Sequence, residues 1–438
     1  MPAWRAKLLG FDDRGQPWQL EDGLLVVESG RIVDLGPYAD CLRRWPGLRV
    51  TDWSGLTLAP GFIDAHVHYT QIDIIGAPAS GLLDWLQRHT FPAEARFEDP
   101  VVAAEAASFF LDELLRNGVT TALVWGSVHP QSIDVFFSHC ASRRLRMIAG
   151  KCLMDTDVPP GLQDDGRLGL NLTEDLIRRW HGVDRLGYAI TPRFALSCSP
   201  AQLQGAAAIA RAHPTIWVQT HAAENVDEVR RVRQRHPEAR SYLDVYDRAG
   251  LLRPRSVLAH CIHIDDQDRR RMAETGAAVA MCPTSNLFLG SGLFDLEAAG
   301  AAGVPLALAS DVGAGTSLSP MRTMLAAFEV ARLRGTVPSA GQLWWLHTAG
   351  AARGLGLEGL IGNLAVGLEA DFIALDPQAT PLLARRTAQA ESLEAWLFAM
   401  MTLADDRAIR HTVVLGEVAQ RRGEPRVEPG ARDCGARS

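Results

Sequence analysis

Two histidines stand one residue apart in GFIDAHVHYTQ, residues 61–71, directly after a short apolar run. Side chains on a strand alternate faces, so His66 and His68 project together while Val67 points away. Two imidazoles on one face can bind one metal ion if the rest of the chain supplies the other donors. His221 in IWVQTHAAE (216–224) and Asp311 in VPLALASDVG (304–313) follow later β-rich runs. Three nitrogens and one carboxylate suit Zn2+ and also tolerate Fe2+. A lone histidine is more often structural than a ligand; it is the four residues together that point to a metal centre. Glu224 lies three residues past His221, and a carboxylate beside water activated by a metal can shuttle its proton. His260, in SVLAHCIH (256–263), can orient the same water or stabilise charge developing in the transition state. Glu224 also reads as a glutamate at a helix N-terminus, favoured by the macrodipole, and the two readings are compatible.

The elements that would position these residues alternate regularly. Apolar, β-rich runs occupy 61–68, 119–126, 146–153, 187–196, 216–224, 256–263, 277–285 and 304–313. Helical patterns fall between them, such as 99–118, with Asp99 as N-cap and Gly118 as its stop. Eight strand-plus-helix units predict an α/β fold, a TIM-like (β/α)8 barrel, whose strands are apolar throughout because both faces are covered. Chemistry in such barrels sits at the C-terminal strand ends. There the runs place His66 and His68, then Arg193 and Phe194, His221, His260 and Asp311. His263 reads either as lining the mouth or as an ordinary loop residue. Short strand-like runs at 24–30, 31–36 and 56–61, with a hairpin at Ser29-Gly30, resemble the texture of 370–377 and 409–419. Residues 1–60 and 365–438 therefore predict one small β-sandwich domain built from both termini, around a barrel spanning 61–364.

The chain has 438 residues, a net charge of −7, and 47% hydrophobic against 22% charged residues, the balance of a soluble globular protein. The acidic balance argues against nucleic acid as the main partner. The arginine-rich stretches 228–236 and 268–272 have acidic neighbours and read as solvated faces. Seven scattered cysteines (41, 140, 152, 198, 261, 282 and 434) contain no CxxC, so neither a disulfide framework nor a cysteine-rich zinc knuckle is expected. The N-terminus breaks into charge too early for a secretory segment, and no run of 18 apolar residues exists. The expectation is a cytoplasmic protein with no membrane partner. GLGLEG (354–359) fits GxGxxG but follows a helix-like stretch rather than a strand. Cys282 lacks the pattern of the small zinc deaminases. WWLH (344–347) reads as a core-facing helix, and Ser197 and Ser199 have no triad spacing.

PGFIDAHVH, THAAEN, AHCIH and SDVGAG resemble the metal-dependent amidohydrolase superfamily in its mononuclear deaminase branch. HVHYTQ, LLDWLQRHTFPAEARF (82–97), TPRFALSCS (191–199), CPTSNLFLGSG (282–292) and SDVGAGTSLSPMRTM (310–324) narrow the resemblance to the guanine deaminase family. It runs from about residue 55 to the end, including GNLAVGLEADFIALDP (362–377). The resemblance implies one Zn2+ per subunit, with Fe2+ as the alternative, held by His66, His68, His221 and Asp311. It implies Glu224 as proton shuttle and His260 beside the attacking water, with Asp311 also taking part in catalysis. Gln71, Arg193 and Phe194 become purine contacts, with His221, Glu224 and Asp311 also facing the substrate. Phe194, Trp85 and Phe288 are available to pack on a planar ring. The implied reaction is hydrolysis of guanine to xanthine and ammonia in purine salvage, by a homodimer. A deaminase of another aminopurine, a pterin or a triazine is the alternative, and a non-catalytic binding barrel a more remote one.

Overall fold

The computed structural model describes residues 1–423; residues 424–438, which include Cys434 and the end of the predicted terminal β domain, lie outside the described residues. Eight parallel strands form a barrel: Phe62–His68, Val119–Trp125, Arg146–Gly150, Gly187–Pro192, Trp217–Ala222, Ser256–His260, Ala278–Met281 and Leu306–Leu308. Each predicted run contains one of them, and each pairs with the next. The runs extend past the strands because the same apolar character continues into buried loops at the mouth. The ring closes where Asp311 N donates to the His66 carbonyl (2.9 Å) and His68 N to the Val312 carbonyl (2.7 Å). Inside, Ile63, Leu123, Ile148, Trp217 and Val257 pack into one apolar cluster, so the barrel is a filled core with its polar groups displaced to one end.

The long helix between the first two strands runs Pro100–Arg116, with the Asp99 carboxylate accepting from Val101 N at 2.8 Å. Gly118 ends it at φ +79°, a left-handed conformation that a side chain disfavours. Trp344 of WWLH lies buried on helix Ala340–Leu346 and donates to the Leu397 carbonyl, as a core-facing residue should. GLGLEG begins at the end of helix Ala349–Gly354, outside any strand–turn–helix context. In the arginine-rich helices, Arg230 pairs with Asp227 and Arg271 with Asp247 on exposed faces.

Strands from both termini form a second sheet. Its order is Glu417–Arg421, Ile409–Val414, Phe372–Leu375, Thr51–Pro60, Ala3–Phe11, Pro17–Glu28, Arg31–Pro37. These strands are hydrogen-bonded as one continuous seven-stranded sheet with register shifts along it, carrying two separate apolar clusters. Ser29 and Gly30 turn the expected hairpin, both at positive φ as a two-residue turn of this hand requires. The C-terminal segment also carries helices Pro381–Thr387 and Leu393–Leu403. The six described cysteines are free and buried. Among the described residues no helix is long and apolar enough to cross a membrane.

A buried ion network joins this sheet to the base of the barrel. Arg185 pairs with Glu369 (2.6 Å) and with Asp371, and Arg146 adds a second cation to Glu369 (2.5 Å). Replacing Arg185 by alanine leaves two buried carboxylates short of a partner, so Arg185→Ala is expected to cost about 3–5 kcal/mol in unfolding free energy, measured by denaturant titration.

Candidate active site

Strict alternation along the first strand would not aim both histidines inward. Ile63 and Ala65 belong to the inner cluster, and continued alternation would put Val67 beside them, yet Val67 packs in the outer one. Pairing with the second strand slips by one residue between Asp64 and Val67, and this bulge turns His66 and His68 into the barrel. Asp64 stabilises the bulge by accepting from His66 N (3.2 Å) and from Ser310 N (3.0 Å) on the eighth strand's exit. Asp311 lies three residues past that strand at φ 52°, and His260 ends the sixth at φ 69°. Both are non-glycine residues in the left-handed region, the kind of backbone strain that collects at functional sites.

Four donors converge. His66 Nε2 lies 3.2 Å from His68 Nε2, which lies 3.3 Å from His221 Nε2. Asp311 Oδ1 is 3.1 Å from the first and 3.2 Å from the second, and all four donor atoms fall within 4.8 Å of one another. His221 Nδ1 faces the Arg193 carbonyl at 2.8 Å, so that nitrogen carries the proton and Nε2 keeps its lone pair. Burial lowers the pKa of all three imidazoles, that of His68 to about 4 and that of His221 well below its usual value. Burial acts to raise the Asp311 carboxyl, but His66, His68 and His260 outweigh it and hold the group well below the ordinary range. Neutral imidazoles and a carboxylate that direct lone pairs at one point repel each other unless a cation lies between them. The donor set therefore fits a metal ion.

Glu224 and His260 stand beside this cluster. Among the described residues His260 Nε2 has no hydrogen-bond partner; it lies 3.5 Å from Glu224 Oε2 and 3.7 Å from Asp311 Oδ2, and Asn286 Oδ1 fixes the ring through Nδ1 at 2.8 Å. Ser291 Oγ donates to Glu224 Oε1 at 2.9 Å. Burial, aided by the Asp311 charge, pushes the Glu224 carboxyl up to about 8; a cation in the donor cluster acts in the opposite direction. Glu224 is not the first-turn glutamate of the next helix. Helix Val226–Arg235 is capped by Asn225, and its capping-box partner is Glu228, which also accepts from Glu224 N (2.9 Å). Relief of free N–H groups thus falls to Glu228, leaving Glu224 directed at the cavity.

The cavity is lined by the donors His68, His221 and Asp311, by Glu224 and His260, and by Gln71, Arg193 and Phe194. Trp85, Leu82, Leu86 and Leu289 add apolar surface, the composition of a site for a small flat molecule. Of the residues predicted for the site, His66 joins through the donor cluster, and His68, Gln71, Trp85, Arg193, Phe194, His221, Glu224, His260 and Asp311 line the cavity. Phe288 does not; it is partly exposed and touches Trp85 only edge-on, at 6.3 Å between ring centroids. His263 is exposed, and its Nε2 lies 2.9 Å from the Ser291 carbonyl, bracing the loop that carries Ser291.

Other residues of the site escaped the sequence reading. Trp125, ending the second strand, packs its ring 4.3–5.4 Å from the centroids of all three imidazoles. Glu94 accepts from both Gln71 and Arg193. Asn286 and Ser291 hold His260 and Glu224. Only Asp64 left a signal, a carboxylate inside an otherwise apolar run. Cys282 Sγ also lies within 4.8 Å of donors on His66, His260 and Asp311. Its thiol donates to the Ala280 carbonyl, and burial raises its pKa well above the usual value, so it remains a neutral thiol.

A closed (β/α)8 barrel with three histidines and an aspartate at its C-terminal mouth has the architecture of the amidohydrolase family, whose pattern matches residues 57–419; the chain belongs to that family. Among characterised relatives, the guanine deaminase of Escherichia coli (strain K12) is 44% identical over 404 residues, covering 92% of each chain. The solved E. coli guanine deaminase superposes with a TM-score of 0.94 at 42% identity, covering 96% of this chain and 100% of that one. A guanine deaminase from C. acetobutylicum, solved with guanine bound in its active site, superposes with a TM-score of 0.87 at 25% identity, covering 95% and 99%.

Proposed function

We propose that this chain hydrolyses guanine to xanthine and ammonia with one metal ion, zinc by preference over Fe2+. The observation that carries this reading is the convergence of three Nε2 atoms and one carboxylate beside a cavity whose wall offers Arg193 and Gln71 to a neutral base. His66, His68, His221 and Asp311 would hold the ion. When bound, it supplies the Lewis acidity that brings the pKa of a water towards neutrality. Glu224 takes a first proton from the attacking water and passes it to a ring nitrogen, then takes the second from the resulting hydroxyl and passes it to the departing amino group. The new C–O bond forms at the ring carbon bearing that group, its C–N bond breaks, and ammonia leaves. His260, held by Asn286, directs Nε2 at the same water or at the charge that builds on the ring. Asp311 accepts a hydrogen bond from the water, and Phe194 and Trp85 cover the base.

Ammonia-release assays on guanine, adenine, isoguanine and pterins test the assignment. Guanine turned over fastest is the expected result, while no turnover of guanine beside rapid turnover of another ring would reassign the substrate. Absence of stoichiometric metal in purified protein would instead favour a non-catalytic barrel. The family resemblance supports a cytoplasmic homodimer as the working form, for which sedimentation at monomer mass would be the contrary result.

A further inference from the structure

Glu94 is completely buried on helix Phe91–Ala95, outside the metal-donor cluster and without a place in the cavity lining. Its two carboxylate oxygens are used separately. Oε1 accepts from Gln71 Nε2 at 2.9 Å and Oε2 from Arg193 Nη1 at 2.7 Å, and both of those residues line the cavity. We propose that Glu94 is a positioning residue that fixes the hydrogen-bond polarity with which Gln71 and Arg193 meet the base. This rests on guanine being the substrate.

A carboxylate only accepts hydrogen bonds, whereas a glutamine amide can turn either end to a partner. Facing Glu94, Gln71 must turn its NH2 away from the cavity, which leaves its carbonyl oxygen as an acceptor there. Arg193 commits one N–H to Glu94 and retains others as donors. The carboxylate also neutralises a fully buried guanidinium, so the wall carries no net charge against a neutral ring. An acceptor beside a donor complements the lactam edge of guanine, where the N1–H donor adjoins the O6 acceptor next to the reacting carbon. Adenine presents the opposite pattern, an acceptor N1 beside a donor amino group. 2-Aminopurine keeps the amino group that leaves but has C6–H and an unprotonated N1, so it offers neither half of the pattern.

The ratio of kcat/KM for guanine to that for 2-aminopurine isolates this role, with inhibition constants used where turnover is too slow. In Glu94→Gln the new amide can accept from Arg193 and donate to Gln71, which frees Gln71 to turn its NH2 into the cavity. Glu94→Asp retains the charge that Arg193 needs for folding but is too short to span both partners. In each variant the ratio is expected to fall by about ten-fold or more, mainly through KM for guanine, because a site built to hydrogen-bond an edge discriminates strongly against its absence. A purely structural role would lower both substrates together, so an unchanged ratio in whichever variant folds overturns the proposal. Wild-type protein that fails to turn over guanine at all would overturn the substrate reading instead.

Discussion

Glu224→Gln is expected to lose several orders of magnitude in turnover while retaining its metal. The side chain is 2% exposed and held at both ends: Ser291 Oγ donates to Oε1, and the backbone N–H donates to Glu228. Glutamine is nearly isosteric, and its Oε1 can still accept from Ser291, so the position of the group should survive the change. What disappears is the capacity to take a proton from the attacking water and return it to the ring and the leaving amino group. One positioned proton transfer contributes about 10²–10⁴-fold, and Glu224 serves more than one. Burial raises this carboxyl and so strengthens it as a proton acceptor, while a nearby cation would pull the other way. Steady-state kcat, measured beside metal content by mass spectrometry, checks the prediction. A near-normal rate would refute the shuttle role.

The second large effect is expected at a donor. His68 Nε2 lies within 3.3 Å of donor atoms on His66, His221 and Asp311. Truncating it in His68→Ala removes one of four donors and opens the cluster. Loss of an outer partner of a metal ligand typically costs about 10–100-fold in affinity, so loss of a ligand itself should exceed that. Dialysed His68→Ala protein is expected to fall well below stoichiometric metal, and activity to fall with it, while circular dichroism stays close to the parent because the barrel core lies below the site. Unchanged metal content would contradict the assignment of His68 as a ligand.

The division between what was legible in the sequence and what was not follows from the range over which each feature is specified. The barrel was legible because strands covered on both faces are apolar throughout, a local property repeated eight times with helical spacing between. The donors were legible because His66, His68, His221 and Asp311 stand at or just beyond the C-terminal ends of those runs, where a buried polar group needs a purpose. Capping at Asp99 and the hairpin at Ser29-Gly30 were readable for the same local reason. Glu94 was hidden because its two partners lie 23 and 99 residues away, a pairing that no local pattern in its own segment marks. Trp125 passed for one more apolar strand end. Asn286 and Ser291 act through single side-chain contacts that leave no periodic trace.

By itself, the sequence determined which side chains can bind a metal, carry a proton and meet a flat polar base, and on which strands they sit. Only the tertiary structure decided that they aim at one point. The bulge after Asp64 reverses the facing of the first strand, and the left-handed turns at His260 and Asp311 carry those side chains over the mouth. Neither follows from local preference, since both conformations are disfavoured for these residues in isolation; they persist because the closed ring of strands and the hydrogen bonds across it compensate for the strain.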